Sequence, residues 1–186
     1  IAASQADAVF AGGCFWCTEA DFDKVDGVVQ TISGYTGGDV ANPSYEQVTT
    51  GTTGHYESVR VIYDPTVVSY DELVDYYWRT IDPLDARGQF CDKGTSYRTA
   101  IFVETDEERA TAEEAKAELS ESGELSGEIK TEILSQGTFW PAEDYHQDYY
   151  KKNKSRYDFY RSRCGRDQRL EQIWGEDAAK KIAANF

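Results

Sequence analysis

Two cysteines three positions apart, Cys14 and Cys17, stand in the stretch AGGCFWCTEADF, residues 11–22. They follow a glycine pair and enclose two large aromatics, Phe15 and Trp16. Thiols react as thiolates, so what matters is the environment each cysteine is given. Gly12-Gly13 lets the backbone turn sharply out of the apolar run Ala8 to Ala11. A helix beginning near Cys14 would aim free N–H groups and the positive end of its dipole at that thiol. Thiolate is favoured there, and a cysteine so placed is a nucleophile at neutral pH. The plainer reading is a core cysteine at a tight turn. Phe15 and Trp16 are ordinary core types, but beside a nucleophile they can wall an apolar pocket that excludes water.

A thiol that attacks an oxidised or acyl centre needs a proton donor nearby. Glu57 is the candidate, in Gly54-His55-Tyr56-Glu57 at the start of a strand. Buried among aromatics, its pKa would rise and it would stay protonated to donate. A surface glutamate is the other reading, and periodicity leaves both open. Among 13 tyrosines, Tyr35 lies between a strand and a glycine loop and Tyr97 begins a strand. Both are at element ends, where sites assemble. The two other cysteines, Cys91 and Cys164, are single. Four cysteines in 186 residues are too few for a disulfide scaffold. One close pair, two singles and the distant His55 and His146 follow no zinc spacing, so no metal is expected.

The elements that must position these residues read clearly in part. Ala8 to Ala11 is a strand and Cys14 to Phe22 a helix. Val28 to Tyr35 is strand-like, and Thr36 to Tyr45 is a loop with Gly37-Gly38 and Pro43. Tyr56 to Tyr63 alternates, with Val59, Val61 and Tyr63 on one face. Ser69 with Glu72 is a capping box, and Leu73, Val74, Tyr77 and Trp78 fall at helical spacing. Tyr97 to Glu104 is a strand, Thr105 with Glu108 caps an Ala/Glu-rich helix to Glu121, and Glu128 to Leu134 is a strand. Tyr145 to Tyr160 reads as helix and the tail from Cys164 as short helix or coil. The expectation is an α+β protein, a mixed sheet with helices packed on it. It is one domain over 1–186, with a core over about 1–150 and a long irregular C-terminal segment, 151–186, carrying Cys164.

Net charge is −15, which disfavours nucleic acid or an anionic membrane as a partner. The charge is uneven: residues 151–169 hold eight Lys/Arg against Asp158 and Asp167. They form either a solvated basic face or a set of charges serving Cys164. With 40% hydrophobic and 28% charged residues the chain fits a soluble globular protein, and no apolar run is long enough to span a membrane. A cytoplasmic monomer is expected, or a periplasmic one if a leader preceded Ile1.

Together these segments resemble the A-type peptide methionine sulfoxide reductase family. The resemblance covers roughly Val9 to Tyr150. Its residues are Gly13-Cys14-Phe15-Trp16; Gly34-Tyr35-Thr36-Gly37-Gly38; Gly54-His55-Tyr56-Glu57 with Val59-Arg60-Val61 and Tyr63-Asp64-Pro65; Asp92 with Gly94-Thr95-Ser96-Tyr97-Arg98; and Ala142-Glu143-Asp144-Tyr145-His146-Gln147. The resemblance implies a two-layer α/β sandwich with a ferredoxin-like core, and reduction of methionine-S-sulfoxide, free or in peptides. It implies Cys14 as nucleophile and Phe15 and Trp16 as the pocket for the substrate's S-methyl group. Glu57 is implied as the acid on the sulfoxide oxygen, Tyr35 and Tyr97 as hydroxyls that hydrogen-bond it, and Asp92 as a carboxylate holding the substrate main chain or a water. Cys14 would become a sulfenic acid, condense with a second thiol, and be reset by a dithiol such as thioredoxin, with no cofactor. The resolving thiol implied is Cys164, in the C-terminal segment among arginines; Cys17 is the alternative. Phe90-Cys91 departs from the family pattern before Asp92 and adds a third thiol. A general thiol–disulfide oxidoreductase using Cys14 and Cys17 is the rival enzyme, and an acidic binding protein with incidental thiols the rival non-enzyme.

Overall fold

The structure, a computed structural model, describes residues 2–177. Ile1 and residues 178–186, the end of the expected C-terminal segment, lie outside the described residues. Strand β1 (Ala6–Gly12) leads into helix α1 (Phe15–Phe22). Then come β2 (Val28–Thr36), a short helix α2 (Tyr45–Thr49), β3 (Tyr56–Tyr63) and α3 (Tyr70–Arg79). A two-stranded ribbon follows, β4 (Gly88–Gln89) and β5 (Asp92–Lys93), then β6 (Thr99–Val103), α4 (Asp106–Glu121), β7 (Glu132–Ser135) and β8 (Trp140–Pro141). Three helices end the described chain: α5 (Tyr149–Lys152), α6 (Lys154–Arg163) and α7 (Arg166–Trp174).

The main sheet runs β7-β6-β1-β3-β2-β8. Its four central strands have the ferredoxin-like order, and every pair is antiparallel except β6 with β7. Helices cover one face. There Phe10, Val59, Val61 and Ile101 pack with Phe15 and Phe22 of α1, Leu73 and Tyr77 of α3, and Leu170 and Trp174 of α7. The other face carries a smaller cluster of Val9, Ala11, Tyr56, Ala100 and Phe102, partly closed by Leu134 and Phe139. This is a two-layer α+β architecture.

Local rules account for several elements. Ser69 caps α3 with a full capping box to Glu72, and Thr105 accepts the Glu108 N–H at the start of α4. The loop expected over Thr36 to Tyr45 ends in α2, whose cap Ser44 also makes a capping box, with Gln47. Tyr97 sits in a 3₁₀ turn (Thr95–Tyr97) just before β6 rather than on the strand. The described part of the segment from residue 151 is mostly helix, up to Trp174, where an irregular segment was expected. Its charges explain why: Arg161 pairs with Asp21 at 2.8 Å and Arg169 with Asp82 at 3.0 Å, docking basic helices on acidic positions of the core.

Candidate active site

Cys14 is the N-cap of α1, with φ −58° and ψ 119°. The turn that delivers it needs glycine at Gly13, where φ is +87° and a Cβ would stand 2.6 Å from Cβ of Gln89. The Cys14 carbonyl accepts the Cys17 and Thr18 N–H groups at 3.1 and 3.3 Å. Both thiols are deep: Cys14 is 7% exposed and Cys17 2%.

Glu57 is on the helix-covered face of β3, in step with Val59 and Val61, and is 1% exposed. Parity along the strand puts it there, which rules out the surface reading. Directly across the ladder is Tyr35 on β2. Glu57 Oε1 accepts the Phe15 N–H at 3.1 Å, so this carboxyl caps the first turn of α1 from across the sheet. Its Oε2 is buried, and the Tyr97 hydroxyl interacts with the carboxyl. Burial, reinforced by the charges of Asp92 and Cys17, raises Glu57 to about 8 against the opposing hydrogen bonds of the Phe15 N–H and the Tyr97 hydroxyl. The group therefore holds a proton at neutral pH.

The two thiols differ. Burial pushes Cys14 well up, and its hydrogen bond with Cys17 and the nearby Cys17, Glu57 and Asp92 charges add to this. Cys17 is lowered to about 7 by the hydrogen bond from Cys14 and by the positive charges of Arg166 and Arg161, against burial. Burial thus opposes the thiolate expected at Cys14. The helix N-terminus is there, but its Phe15 N–H is spent on Glu57.

Aromatic rings enclose the thiol. Phe15 lies 5.7 Å from the Tyr35 ring and 4.9 Å from His146. Trp16 stacks on Tyr149 at 3.8 Å and donates from Nε1 to His146 Nδ1 at 2.9 Å. Burial lowers the pKa of His146, so the ring is neutral and can accept that bond. The Tyr35 hydroxyl donates to Glu143 Oε1 at 2.8 Å, while Glu143 Oε2 accepts the Tyr45 N–H at 3.0 Å. Tyr45 and Tyr97 are both raised by burial and by Glu57, and they interact with each other. These two phenols therefore share the space around Glu57 and Cys14. Asp92 accepts a hydrogen bond from the Tyr160 hydroxyl, and burial raises it. Cys164 is bonded to Cys91, leaving Cys14 and Cys17 free. Among the described residues no group of three or more His, Cys, Asp or Glu is arranged to hold a metal ion, and no helix is long and apolar enough to cross a membrane.

Comparison with known proteins matches this geometry to a family. The profile described as peptide methionine sulfoxide reductase matches residues 6–178. The chain belongs to the peptide methionine sulfoxide reductase family. The MsrA enzyme of Bacillus licheniformis is 52% identical over 168 residues, 90% of this chain and 93% of that protein. The MsrA/MsrB protein of Vibrio cholerae is 51% identical over 94% of this chain, which spans 46% of its length. The solved methionine sulfoxide reductase A of Corynebacterium diphtheriae superposes with a TM-score of 0.73 at 36% identity, over 82% of this chain and 77% of that one. The enzyme is thus an oxidoreductase that reduces methionine sulfoxide.

Of the residues read from this reductase's sequence, the fold gathers Cys14, Phe15, Trp16, Glu57, Tyr97 and Asp92 around one thiol, with Cys17 alongside. Tyr35 is in the wall, with its hydroxyl turned to Glu143. Sequence reasoning gave no role to Tyr45, His146 or Glu143. The cap of α2 was the missed signal for Tyr45: Ser44 and Gln47 are the pattern that turns a loop into a helix start.

Proposed function

We propose that Cys14 attacks the sulfur of methionine-S-sulfoxide, free or in peptides, while Glu57 protonates the oxygen. The burial of Glu57 carries this reading: a carboxyl kept neutral beside Cys14 has a proton to donate. A sulfoxide oxygen is a poor leaving group until protonated. Cys17, lowered to about 7, is the adjacent base for the Cys14 proton. Tyr97 and Tyr45 stabilise charge on the oxygen, and Phe15 and Trp16 receive the methyl group. Asp92 and Tyr160 border the pocket from the ribbon and α6. Oxygen passes from the substrate to Cys14, giving methionine and a sulfenic acid. Cys17 then attacks that sulfur, water leaves, and a disulfide forms. A protein dithiol such as thioredoxin resets the enzyme.

Cys17 is preferred over Cys164 as the resolving thiol because it already touches Cys14, whereas Cys164 is joined to Cys91. The test uses Cys91→Ser/Cys164→Ser enzyme and one equivalent of sulfoxide. One methionine and a Cys14–Cys17 disulfide are expected; a lasting sulfenic acid with Cys17 free would overturn the assignment. General protein disulfide reduction is disfavoured by the depth of both thiols, which a bulky disulfide does not reach. Insulin reduction checks this.

A further inference from the structure

The main sheet keeps an open edge beside the site. β8 pairs with β2 only at Gly34 and Tyr35, so among the described residues 28–32 of β2 have no neighbouring strand on that side. Single amides take over where β8 stops. The Ala142 N–H donates to the Ser33 carbonyl at 2.8 Å. The Ser33 N–H donates to Gln147 Oε1 at 2.9 Å, and Gln147 Nε2 donates to the same carbonyl at 2.8 Å. Strand parity turns the N–H and carbonyl of Thr31 to this side as well. Open edges are ordinarily blunted by charge or proline. Residues 28–33 read VVQTIS, with neither, and Val29 is 56% exposed. A bulge between Val28 and Gln30 confines the regular edge to the stretch after it.

A cleft of about 500 Å³ runs along this edge, between Val29, Thr31 and Ile32 of the strand and the segment holding Pro141 and Gln147. Its charged groups are Asp23, Asp144 and Asp148 against Lys151, which lies 4.0 Å from Asp23 and 3.6 Å from Asp148. Lys152 is turned with its Nζ to the Asp144 carbonyl. Buried Glu19 accepts the Asp148 N–H at 2.7 Å and the Thr31 hydroxyl at 3.3 Å. Burial, with the charges of Asp23 and Asp148 added, raises Glu19 to about 7. Carboxyl groups are thus in excess here, on a chain of net charge −15, which attracts cations. The cleft is continuous with the active-site wall. Thr31 is four residues along β2 from Tyr35, about 13 Å at ordinary strand rise. Gln147 follows His146, whose ring packs on Phe15.

We propose that the open edge of β2 docks an extended, lysine- or arginine-bearing segment of the oxidised polypeptide while its methionine sulfoxide occupies the Cys14 pocket. This rests on the reading that Cys14 reduces methionine sulfoxide in peptides. The segment adds to the sheet as a short strand, pairing its main chain with the N–H and carbonyl of Thr31. Its basic side chains meet Asp23, Asp144 and Asp148. About four extended residues separate the docked part from the sulfoxide. Free methionine sulfoxide and very short peptides therefore gain nothing from the edge. A folded substrate, whose main-chain groups are already paired, gains nothing either.

The experiment compares KM for N-protected methionine-S-sulfoxide with KM for peptides of about ten residues. Each peptide carries one methionine-S-sulfoxide and a Lys-Val-Lys stretch about four residues away, on the N-terminal side in one version and the C-terminal side in another. The better version should have a KM about tenfold lower than the protected amino acid, the worth of one or two net hydrogen bonds. Glu in place of both lysines should remove the gain. N-methylation at one of two successive residues in the stretch should also remove it, and at the other should not, as strand pairing alternates. Asp144→Asn/Asp148→Asn should weaken the Lys peptide and leave the protected amino acid unchanged; asparagine suits position 148, where φ is +53°. Fluorescence anisotropy of labelled peptides on Cys14→Ser enzyme repeats the comparison without turnover. Enzyme that reduces no sulfoxide, while anisotropy keeps the dependence on lysine and on alternate N–H groups, would refute the role of Cys14 and uphold the docking edge. Equal affinity for the Lys, Glu and N-methylated peptides would overturn the docking edge. So would an enzyme dimer in sedimentation that the Lys peptide fails to dissociate, since a second copy of the chain would then hold the edge.

Discussion

Replacing Glu57 with Gln separates stability from catalysis. The carboxyl has an ordinary value of 4.5 and is raised to about 8 in the fold, chiefly by burial. At pH 7 the unfolded chain ionises it and the folded chain keeps it protonated. That difference penalises the native state by about 3 kcal/mol at pH 7. The penalty is absent below about pH 4.5, where both states are protonated, grows with pH up to about 8, and is constant above that. Gln ionises in neither state, and its amide oxygen still accepts the Phe15 N–H. Glu57→Gln should therefore gain up to about 3 kcal/mol at pH 7, or roughly 6–12 °C in Tm, and almost nothing at pH 4. Turnover should fall 10²- to 10⁴-fold, on the order expected for loss of a general acid. Urea unfolding at both pH values and dithiothreitol-supported sulfoxide reduction measure the two effects. Turnover within tenfold of the parent, or equal stability gains at pH 4 and pH 7, would refute the protonated, donating carboxyl. The parent's own turnover should decline as pH rises through about 8.

Other outcomes follow from the same contacts. Arg166→Met removes a guanidinium that is 2% exposed and holds the Gly12 and Thr80 carbonyls. It should cost about 3–5 kcal/mol in denaturant unfolding, since buried Asp21 loses a partner. Where folded protein remains, the pH midpoint for alkylation of Cys17 should rise above about 7. Gly13→Ala forces a side chain into φ +87° against Gln89, costing on the order of 1–3 kcal/mol by thermal melting, with turnover falling because Cys14 is displaced. Tyr97→Phe and Tyr45→Phe should each lower kcat on the order of 10²-fold. Tyr35→Phe should stay within tenfold, because its hydroxyl is engaged by Glu143.

Much of this site was legible because local rules wrote it. The glycine pair, the Cys14 helix start and the aromatics are contiguous, and β3 kept its expected bounds of Tyr56 to Tyr63. The capping box of α3 and the Thr105 cap of α4 were legible for the same reason: each interaction spans three residues. What escaped depended on long-range packing. Cys14 read as a thiolate because the dipole is local, whereas the burial that raises its pKa comes from long-range packing. The basic run read as either a solvated face or a set of charges serving Cys164, whereas Arg161 and Arg166 turn inward to Asp21 and act on Cys17. Cys91 and Cys164 are brought together only by the docking of α6 and α7, and pairing among single cysteines has no signature in spacing.

The most direct test of the central claim is reduction of racemic N-protected methionine sulfoxide by dithiothreitol, with the epimers resolved and Cys14→Ser alongside. Loss of the S epimer alone, abolished in the variant, is the predicted result. Folded, reduced enzyme that consumes neither epimer, or that acts equally well with serine at position 14, would contradict it.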